Sequence, residues 1–353
     1  MTAGMHPPHT HSANGIAPPK SWTRPKAQYR EALLHPWYRA LFEITDAFFY
    51  ATVDFFQSRK FMASLLPITT NAISSPMGLG SDSLPVQVEV GGVPVYLADS
   101  MQFMLEYSLR IHPRCQGVYY IMPSFRGEEM DQRHLCQFFH SEAEIVGGLP
   151  DVMKLSEAYL RHINAFMLEH VAETIAAIVG STTHIENTLS RGAAFPTISY
   201  QDAIAELKKD AGHVTHVVAD WMKITSAGEQ ELLRRHGDFI WLTHFPHQIV
   251  PFYQAIDEEN PHLSLSADLL AGIGEILGSG ERHRSAAQVQ QALQTHEVDA
   301  EPYAWYIDMK NILPLRTAGF GLGMERYILW LLQHDDIRDC QILSRENGNN
   351  DYV

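Results

Sequence analysis

The sequence predicts one mixed domain of helices and sheet, α/β or α+β, and three stretches carry that expectation. Between Pro36 and about Ser58, Leu41, Ile44, Phe48, Ala51 and Phe55 form one helical stripe, with Glu43, Asp46 and Gln57 away from it. From Ser124 to Glu144 the residues alternate with period two on either side of a polar loop at Met130, Asp131 and Gln132, the pattern of an antiparallel hairpin. Near the C-terminus, Gly319, Gly321 and Gly323 alternate along a strand that runs into a helix, Tyr327 to Gln333. The 353 residues, 45% hydrophobic and 10% aromatic, suffice for a substantial core. No internal repeat or Pro/Gly-rich linker divides them.

Charge narrows the function classes. Twenty-six Lys and Arg against 41 Asp and Glu leave a net charge of −15, which argues against a general nucleic-acid binder, whose phosphate contacts need a cationic footprint. Cys115, Cys136 and Cys340 are too few and too scattered for a disulfide framework or a zinc site, and they suit free thiols in a reducing cytosol. No apolar run reaches the ~18 residues of a membrane span, and no hydrophobic signal core opens the chain. A cytoplasmic location is therefore expected.

In chain order, residues 1 to 28, rich in Pro, His, Ser and Thr, read as a disordered tail, and 29 to 353 as the folded domain. His6, His9 and His11 belong to that tail. The helix from Pro36 leads through Arg59-Lys60-Phe61 into an extended segment ending at Leu66-Pro67. Ser74 to Ser83, rich in Gly and Ser, resembles a flap. Val86 to Val90 and Val93 to Leu97 are short strands about a Gly91-Gly92 turn. Ser100-Met101-Gln102 opens a helix toward His112. After the hairpin, Pro150-Asp151 starts a helix extending to about Val179, with Gly180 placed to end it. Ser199 to Asp202 is a capped helix start, and Trp241 to Phe245 a strand. His244 and His247 read as ordinary strand-end residues.

The chemistry concentrates in the hairpin and in two later stretches. Alternation places Arg126 and Glu128 on one face of the first strand, and Phe138, His140, Glu142 and Glu144 on one face of the second. With Arg133 and His134 beside them, these groups offer guanidinium forks for phosphate, a flat ring for a base, and carboxylates for an ammonium or a metal. A charged outer sheet face is the alternative. The bare face left by Gly319, Gly321 and Gly323 would let a flat ligand approach the backbone, with Arg326 one helical turn on. A dinucleotide fingerprint fits poorly there, because its third glycine would fall on Met324. Asp268 and Glu275, seven apart across a glycine-bearing segment, suit magnesium if they lie on neighbouring strands.

Together these stretches resemble the signature motifs of class II aminoacyl-tRNA synthetases, nearest the asparaginyl/aspartyl branch and its asparagine-synthetase-like relatives. F-R-G-E, R-H-L and F-F-H-S-E-A-E resemble motif 2, and G-F-G-L-G-M-E-R resembles motif 3. The helix ending at R-K-F and the segment to Pro67 resemble motif 1, which builds a homodimer interface in that family. Y-L-A-D-S-M-Q, I-S-Y-Q-D-A-I, G-I-G-E-I-L-G-S-G-E-R and Y-A-W-Y-I-D-M match as well, so the likeness runs from about residue 37 to residue 345. It implies an α+β fold, an antiparallel sheet of six or seven strands flanked by helices.

The resemblance also implies roles. Arg126 would grip the α-phosphate of ATP and Phe138 would stack on adenine. Arg133 or His134, with Arg326, would hold the outer phosphates, and Glu128, Glu275, Gly321 and Gly323 would complete the nucleotide site. Asp268 and Glu275 would bind Mg2+. Ser100, Gln102, Glu106, Glu142 and Arg282 would seat the amino acid. Leu105-Glu106 matches asparagine-specific members and favours a substrate with an amide or amine tip. In the flap, where the family uses a glutamate, Asp82 is the only acid. Full-length relatives carry an anticodon-binding barrel ahead of the catalytic domain, whereas here the ordered chain begins at motif 1. The expectation is therefore an AMP-forming ligase that passes an aspartate- or asparagine-like acyl group to ammonia or a small amine. A tRNA-charging enzyme and a non-catalytic paralogue are the alternatives.

Overall fold

Strand Gln137–Val146 shows how the sheet is built, because its two faces meet different surroundings. Ser141, Ala143 and Ile145 are buried, and Ala143 and Ile145 join the main core under the helices. Phe138, His140, Glu142 and Glu144 alternate with them on the opposite face. The computed structural model describes residues 15–75, 83–112, 114–192, 194–209, 212–216 and 221–345. Its strands are β1 (Met62–Ala63), β2 (Thr69–Thr70), β3 (Val86–Val90), β4 (Val93–Leu97), β5 (Gly117–Phe125), β6 (Gln137–Val146), β7 (Thr197–Ser199), β8 (Val214–His216), β9 (Met222–Ile224), β10 (Ile240–Thr243), β11 (Ser266–Ala271), β12 (Gly274–Glu281) and β13 (Thr317–Gly323).

Eight of them form the central sheet in the order β1-β5-β6-β13-β12-β11-β10-β7. The six inner strands are antiparallel neighbours, while β1 and β7 add parallel pairs at the two edges. The expected six- or seven-stranded antiparallel sheet thus gains short parallel edges. These edge strands are two and three residues long, too short to leave a period in the sequence. A separate sheet of order β2-β4-β3 and the β8–β9 hairpin lie outside it.

The helices placing the site are α1 (Pro25–Leu34), α2 (Pro36–Ser58), α3 (Gln102–Ile111), α4 (Leu149–His170), α5 (Ala172–Val179), α6 (Thr183–Ser190), α7 (Tyr200–Leu207), α8 (Ser226–His236), α9 (Ala286–Thr295), α10 (Ala304–Ile312) and α11 (Met324–Leu331). Helices α2 and α4 cover one face of the sheet, while α3 and the α7–α8 pair lie on the other. α2 and α4 pack together with Ala318, Phe320 and Leu322 of β13 in the main core. A polar tie crosses this apolar layer: the Tyr159 hydroxyl on α4 lies 2.6 Å from Ser141 Oγ on β6 and 2.7 Å from Thr52 Oγ1 on α2. Because apolar burial contributes about 25 cal/mol per Å2, this layer is closed, and the polar residues gather on the other face between the apolar clusters of α3 and of α7 and α8.

Two boundaries differ from expectation. The helix after Pro150 does not run unbroken to Val179: Val171, at φ −135°, leaves the helical region and separates α4 from α5. Gly180, at φ 87°, ends α5 in the left-handed conformation a glycine adopts without strain. Residues 15 to 28 are also not a loose tail. Ser21 and Gln28 are buried, Trp22 Nε1 donates to Asp339 Oδ1 at 3.0 Å, and Gln28 Nε2 donates to Ser344 Oγ at 3.1 Å. The Arg338 guanidinium lies 3.5 Å above the Trp22 ring. These partners are more than 300 residues away, so local composition could not reveal them. His6, His9 and His11 lie outside the described residues, as does Asp82 of the flap.

Candidate active site

Register brings the polar residues into rows across the open face. Tyr120, Glu142, Gly321, Gly278, Asp268 and Leu242 are successive cross-strand partners, and so are Val118, Glu144, Gly319, Gly280 and Ser266. Over them lies a cleft of about 600 Å3 lined by Ser100, Gln102, Arg126, Glu142, Asp268, Glu275 and Arg282 among others. A smaller cavity of about 110 Å3 adjoins it, lined by Arg126, Arg133, His134, Phe138, Glu275, Gly321, Gly323 and Arg326. Arg126, His140, Glu275 and Gly321 line both.

The small cavity gathers three guanidinium groups. Arg326, in the first turn of α11, donates Nη1 to the Glu275 carbonyl at 2.7 Å and Nη2 to the Arg133 carbonyl at 3.1 Å. Burial pulls the Arg326 guanidinium below its ordinary range; Glu275 and Glu229 oppose this, and the neighbouring Arg133 and Arg126 add to it. Arg133 pairs with Glu229 on α8 at 2.7 Å, while its Nε, like that of Arg126, is buried without a hydrogen-bond partner. Arg126 sits 5.6 Å from the centre of the Phe138 ring. Asp131 shapes the loop by accepting from the Arg133 and His134 backbone N–H groups at 2.7 and 2.8 Å, and its Oδ1 lies 2.9 Å from His134 Nδ1. Such a cluster of mutually repelling cations suits an anion that has more than one charge.

Beside the arginines the acids converge. A bulge between Leu269 and Leu270 pairs Leu270 with Glu275, whereas Asp268 pairs with Gly278. The extra residue turns Glu275 onto the face that Asp268 occupies. Gly278 leaves the space: a Cβ there would stand 2.9 Å from Glu275 Oε1 and 3.5 Å from Asp268 Oδ1. Burial pushes the Asp268 carboxyl well above the usual range, and Glu275 and Glu229 push it further.

The opposite end is an ordered polar pocket. Glu142 Oε2 accepts from the Ser100 hydroxyl at 2.6 Å and the Tyr120 hydroxyl at 2.5 Å, and its Oε1 lies 3.1 Å from His140 Nδ1. Burial raises the Glu142 carboxyl, but His140, Ser100 and Tyr120 outweigh it and hold the group below the ordinary carboxylate range. Gln102 Nε2 is buried without a partner. Arg282 forms a buried pair with Glu144 at 3.1 Å, donates to Gln254 Oε1 at 3.2 Å, and lies 5.3 Å from the Tyr253 ring centre. Burial pushes Glu144 up to about 7 against the pull of Arg282.

Three expectations need correction. Glu106 does not face the cleft. It is fully buried, its carboxylate bonded to Lys310, to the Tyr306 hydroxyl at 2.6 Å and to Thr317 Oγ1 at 3.2 Å, with Arg110 at 3.7 Å. It therefore supports no choice of substrate tip by direct contact. Glu128 lines neither cavity; its Oε1 accepts from the Leu84 backbone N–H at 2.9 Å. Nor is the glycine floor bare throughout: Glu144 covers Gly319 and Gln254 covers Gly280, which leaves Gly278 and Gly321 in the cleft.

Asp99, Glu229, Tyr253 and Gln254 were not singled out by sequence. Asp99 accepts from the Ser74 and Ser75 backbone N–H groups at 2.9 and 2.7 Å, which fixes the start of the flap. Glu229 sits in E-Q-E-L-L-R-R-H, which reads as a surface helix, and only the packing of α8 beside β12 turns it inward. Tyr253 and Gln254 had a usable signal: P-F-Y-Q follows the strand β10 on the same side as Arg282.

Comparisons with known proteins bear on the fold and the family. The family described as tRNA synthetases class II (D, K and N) matches residues 20–347. The asparagine–tRNA ligase of Thermoplasma acidophilum is 28% identical over 330 residues, covering 89% of this chain and 73% of that protein. Among solved structures, the Pyrococcus horikoshii asparaginyl-tRNA synthetase complexed with asparaginyl-adenylate has a TM-score of 0.82 at 25% identity, over 93% of this chain and 73% of the other. The asparaginyl-tRNA synthetase of Entamoeba histolytica, also solved with asparaginyl-adenylate, shares the fold with a TM-score of 0.77 at 22% identity, over 95% of this chain and 73% of its own. From its motifs, its sheet and these matches together, the chain belongs to the class II tRNA synthetases (D, K and N).

Proposed function

We propose that this chain is an ATP-dependent, AMP-forming ligase that adenylates an aspartate- or asparagine-like amino acid. One observation carries the reading: Arg126 and Arg326, two hundred positions apart in sequence, line one small cavity that opens beside the acids Asp268 and Glu275. In this reading the base stacks on Phe138, Arg126 takes the α-phosphate, and Arg133, His134 and Arg326 take the outer phosphates. Ser100, Gln102, Glu142 and Arg282 hold the amino acid, and the unpartnered Gln102 Nε2 supplies a donor for it.

Mg2+ fits the acid pair. Asp268 and Glu275 converge over Gly278 as oxygen donors, and burial together with Glu275 and Glu229 disfavours charge on Asp268 until a cation offsets it. When bound, the ion supplies charge neutralisation for the polyphosphate. The residues position the rest. A carboxylate oxygen of the amino acid attacks the α-phosphorus, pyrophosphate leaves, and Arg126 stabilises the charge that develops on the α-phosphate. Such catalysis is placement and electrostatics, worth several kcal/mol per well-placed donor.

For the second half-reaction we infer transfer to ammonia or a small amine, supported by the net charge of −15. Transfer to a tRNA is the second reading, favoured by the family match and the names of the relatives. Amino-acid-dependent ATP–pyrophosphate exchange tests the adenylation; its absence with every amino acid overturns the proposal. AMP release driven by amines without tRNA supports the first acceptor, and strict tRNA dependence the second. A homodimer is part of the reading, supported by Phe42, Phe49, Tyr50 and Leu65, exposed by 66%, 50%, 55% and 99% on or just after α2. Light scattering that gives one chain per particle would exclude it. Among the described residues no helix is long and apolar enough to cross a membrane.

A further inference from the structure

The cleft has a second end that the adenylation chemistry leaves unused. Past Asp268, on the side away from Glu142, its wall is formed by Ile224, Leu242, Phe245, Ile249, Val250 and Leu270. Ile224, Leu242, Phe245 and Leu270 belong to one apolar cluster with Tyr200, and Ile249 and Val250 pack against it. The amino-acid end is lined by hydroxyls, amides and charges, so the same cavity changes from polar to apolar along its length.

Resting on the proposed adenylation, we propose that this apolar end is the acceptor subsite and that it selects a primary amine with an apolar substituent over ammonia. Three physical consequences of the wall support this. Each methylene buried against it adds about four-fold in affinity, which ammonia cannot gain. An apolar surround disfavours the ammonium form and so favours the neutral, nucleophilic amine. It also excludes water, which would otherwise hydrolyse the adenylate. Lys223 and Glu229 line this end as well. Gln248, held by Trp221 Nε1 at 2.6 Å, and Tyr200 are further polar side chains there.

The step balances. The amine nitrogen forms a bond to the acyl carbon of the adenylate, the bond from that carbon to the phosphate oxygen breaks, and AMP leaves with the electron pair. One proton leaves the nitrogen to water, and the products are an N-substituted amide and AMP.

The test is AMP release by the full chain with Mg-ATP and the amino acid that supports exchange, titrated with ammonium chloride, n-butylamine or isopentylamine. The apolar amines are expected to half-saturate at a concentration at least about ten-fold below that of ammonia. Val250→Asp, a half-buried position outside the adenylation residues, should raise that concentration about ten-fold for the apolar amines. It should leave ammonia and pyrophosphate exchange unchanged; intact exchange also shows that the variant folds. Ammonia performing as well as every amine, a Val250→Asp chain with unaltered preference, or acceptance by tRNA alone would each overturn the subsite. Loss of exchange in the parent chain would instead overturn the adenylation reading.

Discussion

Two charge clusters lie within the same part of this molecule and differ in one respect. Around Glu106, a carboxylate is matched by Lys310, Arg110, Tyr306 and Thr317, and Lys310 Nζ also donates to the His283 carbonyl at 2.7 Å. Around Gly278 and Gly321, arginines crowd arginines and acids crowd acids, and donors on Arg126, Arg133 and Gln102 are buried without partners. The first cluster is complete in itself and holds α3, β13, α10 and the segment after β12 together. The second, apart from the Arg133–Glu229 pair, is left with unpartnered donors beside a pair of acids, which a polyphosphate, a divalent cation and an amino acid would complete. Sequence alone places glutamates in both. Compensation tells structure from site.

Breaking the open cluster should have the largest effect. Arg126→Ala is expected to lower pyrophosphate exchange by about 10^3-fold, roughly 4 kcal/mol of transition-state stabilisation, with little change in urea unfolding. An exchange rate within ten-fold of the parent would remove Arg126 from the proposed mechanism.

The closed cluster should respond in stability instead. Lys310→Met leaves a buried carboxylate short of its main partner and should cost about 3–5 kcal/mol in urea unfolding. Replacing both partners, Glu106→Leu with Lys310→Met, should recover most of that loss and keep the parent's amino-acid preference. A changed preference in the double variant would return Glu106 to the substrate pocket.

The same region also responds to pH. His283 is buried, and burial, then Lys310, pulls its imidazole down to about 4. The unfolded chain therefore binds a proton that the folded one does not between its ordinary value of about 6.5 and 4. Stability should fall as pH drops through that window, by about 3 kcal/mol in total, with no contribution above it. His283→Gln should flatten the profile, and urea titrations from pH 7.5 to 4 measure it.

Asp268→Asn should change stability with the opposite sign. A carboxyl whose folded range is raised is a liability above its unfolded value, so neutral Asn should stabilise the ligand-free chain at pH 7.5. Exchange should fall sharply in the same variant, and a destabilised, fully active protein would refute the assignment.

Legibility followed the range of the interaction. Strands Val86–Val90 and Val93–Leu97 were readable to the residue and helix Pro36–Ser58 closely, because apolar period and glycine turns are local properties. So were the cleft-facing side chains of Gln137–Val146, which follow from strand alternation. Asp268 and Glu275 were identifiable as a pair, but seven positions do not say that they face the same way. The bulge at Leu269/Leu270 decides that. Glu229 and Asp99 were hidden because their partners, Arg133 and the backbone at Ser74 and Ser75, lie in other elements.

The order of residues by itself determined the longer elements, the alternating faces and the motif set that identifies the family, all of which depend on neighbours a few positions apart. Tertiary structure alone decided which carboxylates line the cleft and which are locked in the core. Glu106 and Glu142 are both acids beside apolar residues, and only long-range packing gives one a lysine and leaves the other at the cleft. Burial and electrostatic compensation are properties of the assembled surroundings, and no local pattern encodes them.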